Sequence, residues 1–376
     1  MYRNFKMMQS VAAASLLTAI SVVHAADDAQ MRNLENRVAA LEQRKSANGM
    51  INPNGRPQIR DGADVFVTAD FLYWIGNESG LGFVVKNGTN AGFVDSGKLV
   101  SPHFKYEPGF RLGLGYNLPH DGWDVYADWT WLISRADRHV TPNSGGNLFP
   151  TIMNLQEIDS ISTQISSANA HWKTHLNIID LELGRQFFVS KWLTLRPHFG
   201  LRTAWVNQDY KQNYHGSFNV IRPSPIDLNV PGTLYSEEKC KFWGIGLRGG
   251  LNNQWGMGHG FSLFGDLAAS LLFGRFHIDE DQNFKPTGLV SFNVFNEKSK
   301  FTACRAIVDL GAGLRWGQYF NRDRFYFRLQ AGWEQHMFFS QNQFLRVVDD
   351  FIPGITVSNQ GDLSYNGLTI SALFAF

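Results

Sequence analysis

Charged side chains recur at every second residue along much of this chain, a spacing that puts them on one face of an extended backbone. Asp124 and Asp128 alternate with Trp123, Val125, Ala127, Trp129 and Trp131. Asp180 and Glu182 alternate with Ile179, Leu181 and Leu183, and Arg196, His198 and Arg202 with Leu195, Phe199 and Leu201. Asp70, Arg111, Arg248, Asp266, Arg305, Asp309, Arg315, Arg328 and Glu334 fall in the same phase of their own segments. Such a face does one of two things: it lines a hydrated bore and sets ion selectivity, or its charges pair across neighbouring strands and stiffen the wall. Folding each hairpin about its short connection brings Arg111 opposite Asp128, Arg248 opposite Asp266 and Glu182 opposite Arg196, so much of the charge is expected to be structural. Arg202, His198, Arg305 and Arg315 are less completely matched, which predicts a mildly cation-rich constriction with a weak anion preference.

Other chemistry-bearing patterns are weaker. Gly244-Ile-Gly-Leu-Arg-Gly249 has dinucleotide-fingerprint spacing, but nothing helical follows it. His215-Gly-Ser217 has the His-x-Ser arrangement of outer-membrane phospholipases, yet it sits in what reads as a long polar loop. His171 and His175 are one helical turn apart but lie beside a strand, where i and i+4 are far apart. No catalytic, cofactor or metal residue is expected.

The elements that carry the charges alternate with period two in block after block from Asp64 onward. Ten strands follow, and Gly76 to Glu107 either holds one elaborate loop or adds a strand pair, for a count of ten or twelve. Connections alternate short (Asn117–Gly122, Val189–Lys191, Asn252–Gly260, Gly317–Arg324) and long (Ser134–His171, Asn207–Glu238, Ile278–Lys300, Phe339–Asp362). That is the arrangement of a transmembrane antiparallel up-and-down β-barrel with short periplasmic turns and long extracellular loops. The final strand places Leu368, Ile370, Ala372, Phe374 and Phe376 on one side and ends on an aromatic. Phe374 and Phe376 are therefore the candidate signal for barrel-insertion machinery. A soluble β-sandwich would alternate too, but it explains neither the terminal Phe nor the loop asymmetry.

Composition fits. The 376 residues include 30 Phe, 11 Trp, 11 Tyr and 36 Gly, with a net charge of only +1, which gives no reason to expect nucleic acid. Arg3 and Lys6 precede an apolar stretch from Val11 to Val23, so residues 1–25 read as a secretory signal peptide. Met31, Leu34, Val38 and Leu41 have coiled-coil spacing, so 26–45 reads as a short helical segment able to form a homo-oligomer, a periplasmic trimer stalk, or else as a loosely helical tail. Residues 46–63, rich in Asn, Gly and Pro, read as a linker, and 64–376 as the barrel. Cys240 falls in the inward phase and Cys304 in the outward phase, which argues against a disulfide.

Thr68-Ala-Asp-Phe-Leu-Tyr-Trp74, Tyr106-Glu-Pro-Gly-Phe-Arg-Leu-Gly-Leu-Gly-Tyr116 and Gly122-Trp-Asp-Val-Tyr-Ala-Asp-Trp-Thr-Trp131 resemble the Legionella-type major outer membrane protein family of pore-forming proteins. Ile179-Asp-Leu-Glu-Leu-Gly-Arg185 and Leu195-Arg-Pro-His-Phe-Gly-Leu-Arg202 fit it too. The resemblance implies a porin-like channel for ions and small hydrophilic solutes in a bacterial outer membrane, with no active site to transfer. Two roles remain open: a passive diffusion channel, and an abundant surface structural or adhesive protein whose closed barrel acts through its loops.

Overall fold

The computed structural model describes residues 52–60, 62–86, 97–119, 121–144, 146–152, 158–220, 228–347 and 356–376. The signal-peptide residues and the heptad residues Met31, Leu34, Val38 and Leu41 lie outside them. Ten long strands close into one barrel: β1 (Val65–Glu78), β2 (Tyr106–Asn117), β3 (Trp123–Val140), β4 (Ile158–Arg185), β5 (Leu193–Val220), β6 (Leu228–Gly258), β7 (Phe261–Pro286), β8 (Phe292–Phe320), β9 (Phe325–Asn342) and β10 (Gly361–Ala375). Each pairs antiparallel with the next, and β10 pairs with β1, so every edge is covered. The barrel count is ten. In the ambiguous stretch, Val84–Lys86 is the middle strand of a separate three-stranded sheet, paired with Lys98–Val100 on one side and Leu148–Pro150 on the other.

Alternation places apolar residues outward in a band around the wall, with Leu247 72%, Phe273 64% and Leu314 54% exposed. Aromatics rim both edges of that band. Tyr73, Tyr106 and Trp333 pack together on one side, while Phe320, Phe325 and Phe374 cluster on the other, next to the short turns. Trp243 and Trp255 mark the two rims on β6; at about 3.3 Å per residue and a tilt near 40°, they stand roughly 30 Å apart, about one hydrocarbon thickness. Just above the Trp243 rim the outer wall turns cationic, where Lys241, His277 and Lys300 align across β6, β7 and β8.

Two of the expected long loops are not loops. Asn207–Glu238 and Ile278–Lys300 are mostly strand: β5 and β6 stay paired up to Val220 and Leu228, and β7 and β8 up to Phe284 and Phe292. Much of Ser134–His171 is likewise wall, with β3 and β4 paired from Trp123–Arg185 to Val140–Ala168. The reason is a reversal of phase. Within the band apolar residues face out, but above it Tyr210, Tyr214, Phe242, Phe276 and Phe284 face in and are buried, while Lys211, Lys241 and Arg275 face out. Five strands, β4 to β8, therefore continue well past the membrane as a tall β wall whose interior packs these aromatics around buried polar groups, among them Gln212 with Glu238 and Gln282 with Glu280. On that wall Glu237 is tied to Lys211 and Lys239, each at 3.0 Å. Partial burial pushes its carboxyl up, but the two ammonium groups outweigh this and hold it below the usual range.

The short turns all lie at the opposite end. The tightest, between β6 and β7, runs Gly258-His259-Gly260 with φ of 95°, 53° and 81°, a left-handed path that glycine takes without a Cβ clash. The segment read as a linker does not hang free here. Residues 52–60 run across this mouth: Gly55 N–H donates to Gln186 O, the Arg56 Nη1 donates to Leu118 O and Trp123 O, and Arg60 N–H donates to Asp323 O.

Cys240 is buried inside and Cys304 exposed outside, and both are free thiols. Cys304 stands across from Phe273 in the outward band, so a lipid-soluble maleimide is expected to react with it in the folded, detergent-held protein and with Cys240 only after unfolding. Mass spectrometry of the labelled chain checks this, and equal labelling of both thiols would contradict the placement.

Candidate functional site

The bore has three levels, each built from inward positions of the wall strands. At the middle of the band lies a lattice of ionised side chains. Arg202 on β5 grips Asp180 on β4 with two hydrogen bonds of 2.7 and 2.6 Å, and its Nη1 lies 2.8 Å from Asp309 on β8. Asp309 also accepts from Arg248 on β6 and pairs with His336 on β9 at 2.8 Å. His336 reaches Glu334 at 3.1 Å, and Glu334 accepts from Arg111 on β2 at 2.9 Å. Arg111 in turn lies 3.3 Å from Asp70 and 3.9 Å from Asp128. From the other side Arg248 donates to Glu182 at 3.1 Å, Glu182 accepts from Arg196 at 3.1 Å, and Arg196 holds Asp124 at 2.6 Å. His198 Nε2 lies 3.3 Å from Glu182. A cavity of about 180 Å³ remains among these groups.

The sequence-predicted residues thus come together, but not in the predicted pairs. In the wall register Arg111 faces Thr130 and Arg248 faces Ser270, while Glu182 faces Gly200. Arg111 still reaches Asp128, and Arg196 still reaches Glu182, because long guanidinium side chains span diagonal neighbours. Arg248 does not meet Asp266, which instead accepts from Asn252 at 2.8 Å. Of the four groups expected to be less completely matched, Arg202 and His198 have carboxylate partners. Arg305 and Arg315 have no carboxylate within 4 Å among the described residues; Arg305 lies over the Phe276 ring at 4.9 Å. The lattice is acid-rich, with seven carboxylates against four guanidiniums and two imidazoles. The cation surplus sits lower, at the periplasmic mouth, where Arg315 and Arg328 face the bore. His336 was missed, although the alternation that singles out Glu334 reaches it two residues later.

Above the lattice the bore is filled, mostly by apolar side chains, with Glu78, Thr174 and Gln208 buried among them. Trp74, Trp172, Phe242, Phe276, Phe338 and Tyr365 are each 1% exposed or less. Leu81 and Phe83 from the β1–β2 connection and Phe344 from the β9–β10 connection complete the plug, with Tyr210 and Tyr214 hydroxyls donating to Leu81 O and Phe83 O at 2.7 Å each. Contacts cross the bore here: Thr174 on β4 meets Tyr365 on β10 at 3.2 Å, and Gln208 on β5 donates to Glu78 on β1 at 3.4 Å.

His215 and Ser217 lie on β5 rather than in a loop, and His215 Nδ1 is paired with Thr233 Oγ1 at 2.8 Å. Among the described residues no group of His, Cys, Asp or Glu is arranged to hold a metal. At the seam Phe376 N–H donates to Val65 O at 3.0 Å, so the terminal residue closes the wall.

The family model of the Legionella pneumophila major outer membrane protein precursor matches residues 57–376, which is nearly the whole chain and the entire barrel. The chain belongs to this family. It is an outer-membrane β-barrel protein, and the family's region takes in the end of the segment that crosses the mouth. No curated protein matches. Among solved structures it is similar to the outer membrane protease OmpT from Escherichia coli, at 13% identity and TM-score 0.36 over 85% of this chain and 99% of that one. It is also similar to a major outer membrane protein from Thermus thermophilus, at 12% identity and TM-score 0.24 over 83% and 98%. A third is the CymD monoaromatic hydrocarbon channel, at 13% identity and TM-score 0.30 over 85% and 90%. At such scores none of them assigns a role to any residue here.

Proposed function

We propose that this outer-membrane barrel is shut to solutes in the state described and serves, without catalysis, at the cell surface through the tall wall of β4 to β8. One observation carries this reading: side chains from opposite walls touch across the bore, as Thr174 and Tyr365 do, within a filling of buried, mostly aromatic side chains. Ten strands enclose little more than their own side chains can fill, so closure is what the strand number favours. The charged lattice then acts as an internal brace. The terminal strand β10 with Phe374 and Phe376 is proposed as the mark read by the insertion machinery before the wall closes.

A second reading, a channel for ions and small hydrophilic solutes lined by the lattice, is favoured by the polar cavity and by the plug's partial origin in connections rather than wall. Planar-bilayer recording of the refolded chain separates the two. The wild type is expected to give no resolved conductance steps, and steps in the wild type would overturn the closed reading. A Phe83→Ser/Phe344→Ser variant is expected to stay silent, because Trp172, Phe242 and Phe276 remain on the wall. Steps appearing only in that variant would establish a gated channel.

A further inference from the structure

We propose that the periplasmic mouth of the bore holds a binding site for a small free oxyanion of phosphate size, built by Arg315, Arg328 and Arg56. A cavity of about 130 Å³ lies there, lined by these three residues and by Arg196. A cavity of about 150 Å³ holds one benzene, so the space suits one tetrahedral or carboxylate anion rather than a large solute.

The charge in this cavity is unbalanced. Its one lining carboxylate, Asp124, is already held by Arg196 through bonds of 2.6 and 3.1 Å. Arg315 is fixed by neutral amides, donating to Gln330 Oε1 at 3.0 and 2.9 Å and to Gln254 Oε1 at 2.9 Å, and it lies over the Phe264 ring at 5.3 Å. Arg328 has no carboxylate within 4 Å among the described residues, and its Nε is buried without a hydrogen-bond partner. Asp266, the nearest acid toward the lattice, acts on Arg315 only at a distance and spends its contact on Asn252. A buried guanidinium without a counter-charge is costly, and the planar fork of Arg matches oxyanions two oxygens at a time. Arg315 is also preorganised, since its amide partners and the ring beneath it hold the fork in place before any anion arrives.

The site is inside the wall, so a lipid headgroup tethered outside it is excluded and a free anion from the periplasm is the occupant. Arg56 contributes from the crossing segment, where its Nη1 is anchored on two carbonyls at 3.0 Å each. Occupancy would therefore tie that segment to the wall. This holds whether or not the barrel conducts.

Thermal unfolding of the full chain in detergent, followed in inorganic phosphate and in sodium chloride at equal ionic strength, tests the proposal. The midpoint is expected to rise with phosphate and to saturate. In the Arg315→Gln/Arg328→Gln variant the phosphate-dependent part should vanish. Should that variant fail to fold, Gln254→Glu is the second arm: it supplies a tethered carboxylate beside Arg315 and should weaken the phosphate response at least tenfold in concentration. Equal wild-type midpoints in the two salts would overturn the site, as would an undiminished response in Gln254→Glu.

Discussion

Replacing Asp309 with Ala is expected to cost about 3–5 kcal/mol of unfolding free energy, the scale for removing one partner from a buried charge cluster. Asp309 faces three basic groups in the bore, Arg202, Arg248 and His336, a number matched there by Glu182 with Arg196, His198 and Arg248. Losing Asp309 leaves three buried donors short of an acceptor. Arg202 keeps Asp180 and Arg248 keeps Glu182, which limits the damage to those two, but His336 is left with Glu334 alone. The acid excess of the lattice offers little compensation, because Asp128 and Asp180 cannot reach the space Asp309 vacates without abandoning partners of their own. Urea unfolding in lipid vesicles, read by tryptophan fluorescence, measures the change. The control is Asp137→Ala on the outer wall, whose partners Lys105 and His171 are 55% and 46% exposed; exposed pairs of this kind contribute about 0–1 kcal/mol each. If both variants shifted equally, the lattice would not be the brace that the geometry describes.

The same lattice shows what the chain made legible and what it hid. Period two was readable everywhere, because the choice of face depends only on parity, and Asp70, Asp180, Arg202 and Asp309 all point inward as that parity requires. Register was not readable. It depends on how many residues each turn consumes, and the β6–β7 turn is tight at His259 rather than broad from Asn252, so Arg248 slides from Asp266 to Ser270. Strand length was hidden for a different reason. Hydrophobicity changes sides where β5 to β7 leave the membrane: Trp243 faces lipid while Phe242 beside it faces the core, and Phe273 and Phe276 do the same on β7. A pattern that inverts midway resembles the end of a strand, and the outward Lys, Asp and Asn beyond it resemble a loop. The crossing segment gave no signal at all. Arg56 lies among Asn, Gly and Pro, and its role arises only from backbone carbonyls that the fold brings beneath it.

A charge placed on the outer face at mid-band should be nearly as damaging as one stranded in the bore. Leu247 is 72% exposed and stands between Leu201 on β5 and Leu271 on β7, directly across in register. In a bilayer those side chains touch hydrocarbon, so Leu247→Arg is expected to cost about 2–4 kcal/mol, the range for arginine near the midplane of a lipid-facing barrel wall. Asn207→Arg, two residues beyond the Trp205 position on the outer face of β5, lies past the rim among polar neighbours; it should change stability by about 0.5 kcal/mol or less. The pair is decisive because both residues are exposed, so on a surface bathed by water the two substitutions would be tolerated alike. Vesicle unfolding of both variants reads the difference. A Leu247→Arg protein as stable as the wild type would mean that water, not lipid, bathes this face, and the barrel's placement in the membrane would have to be abandoned with it.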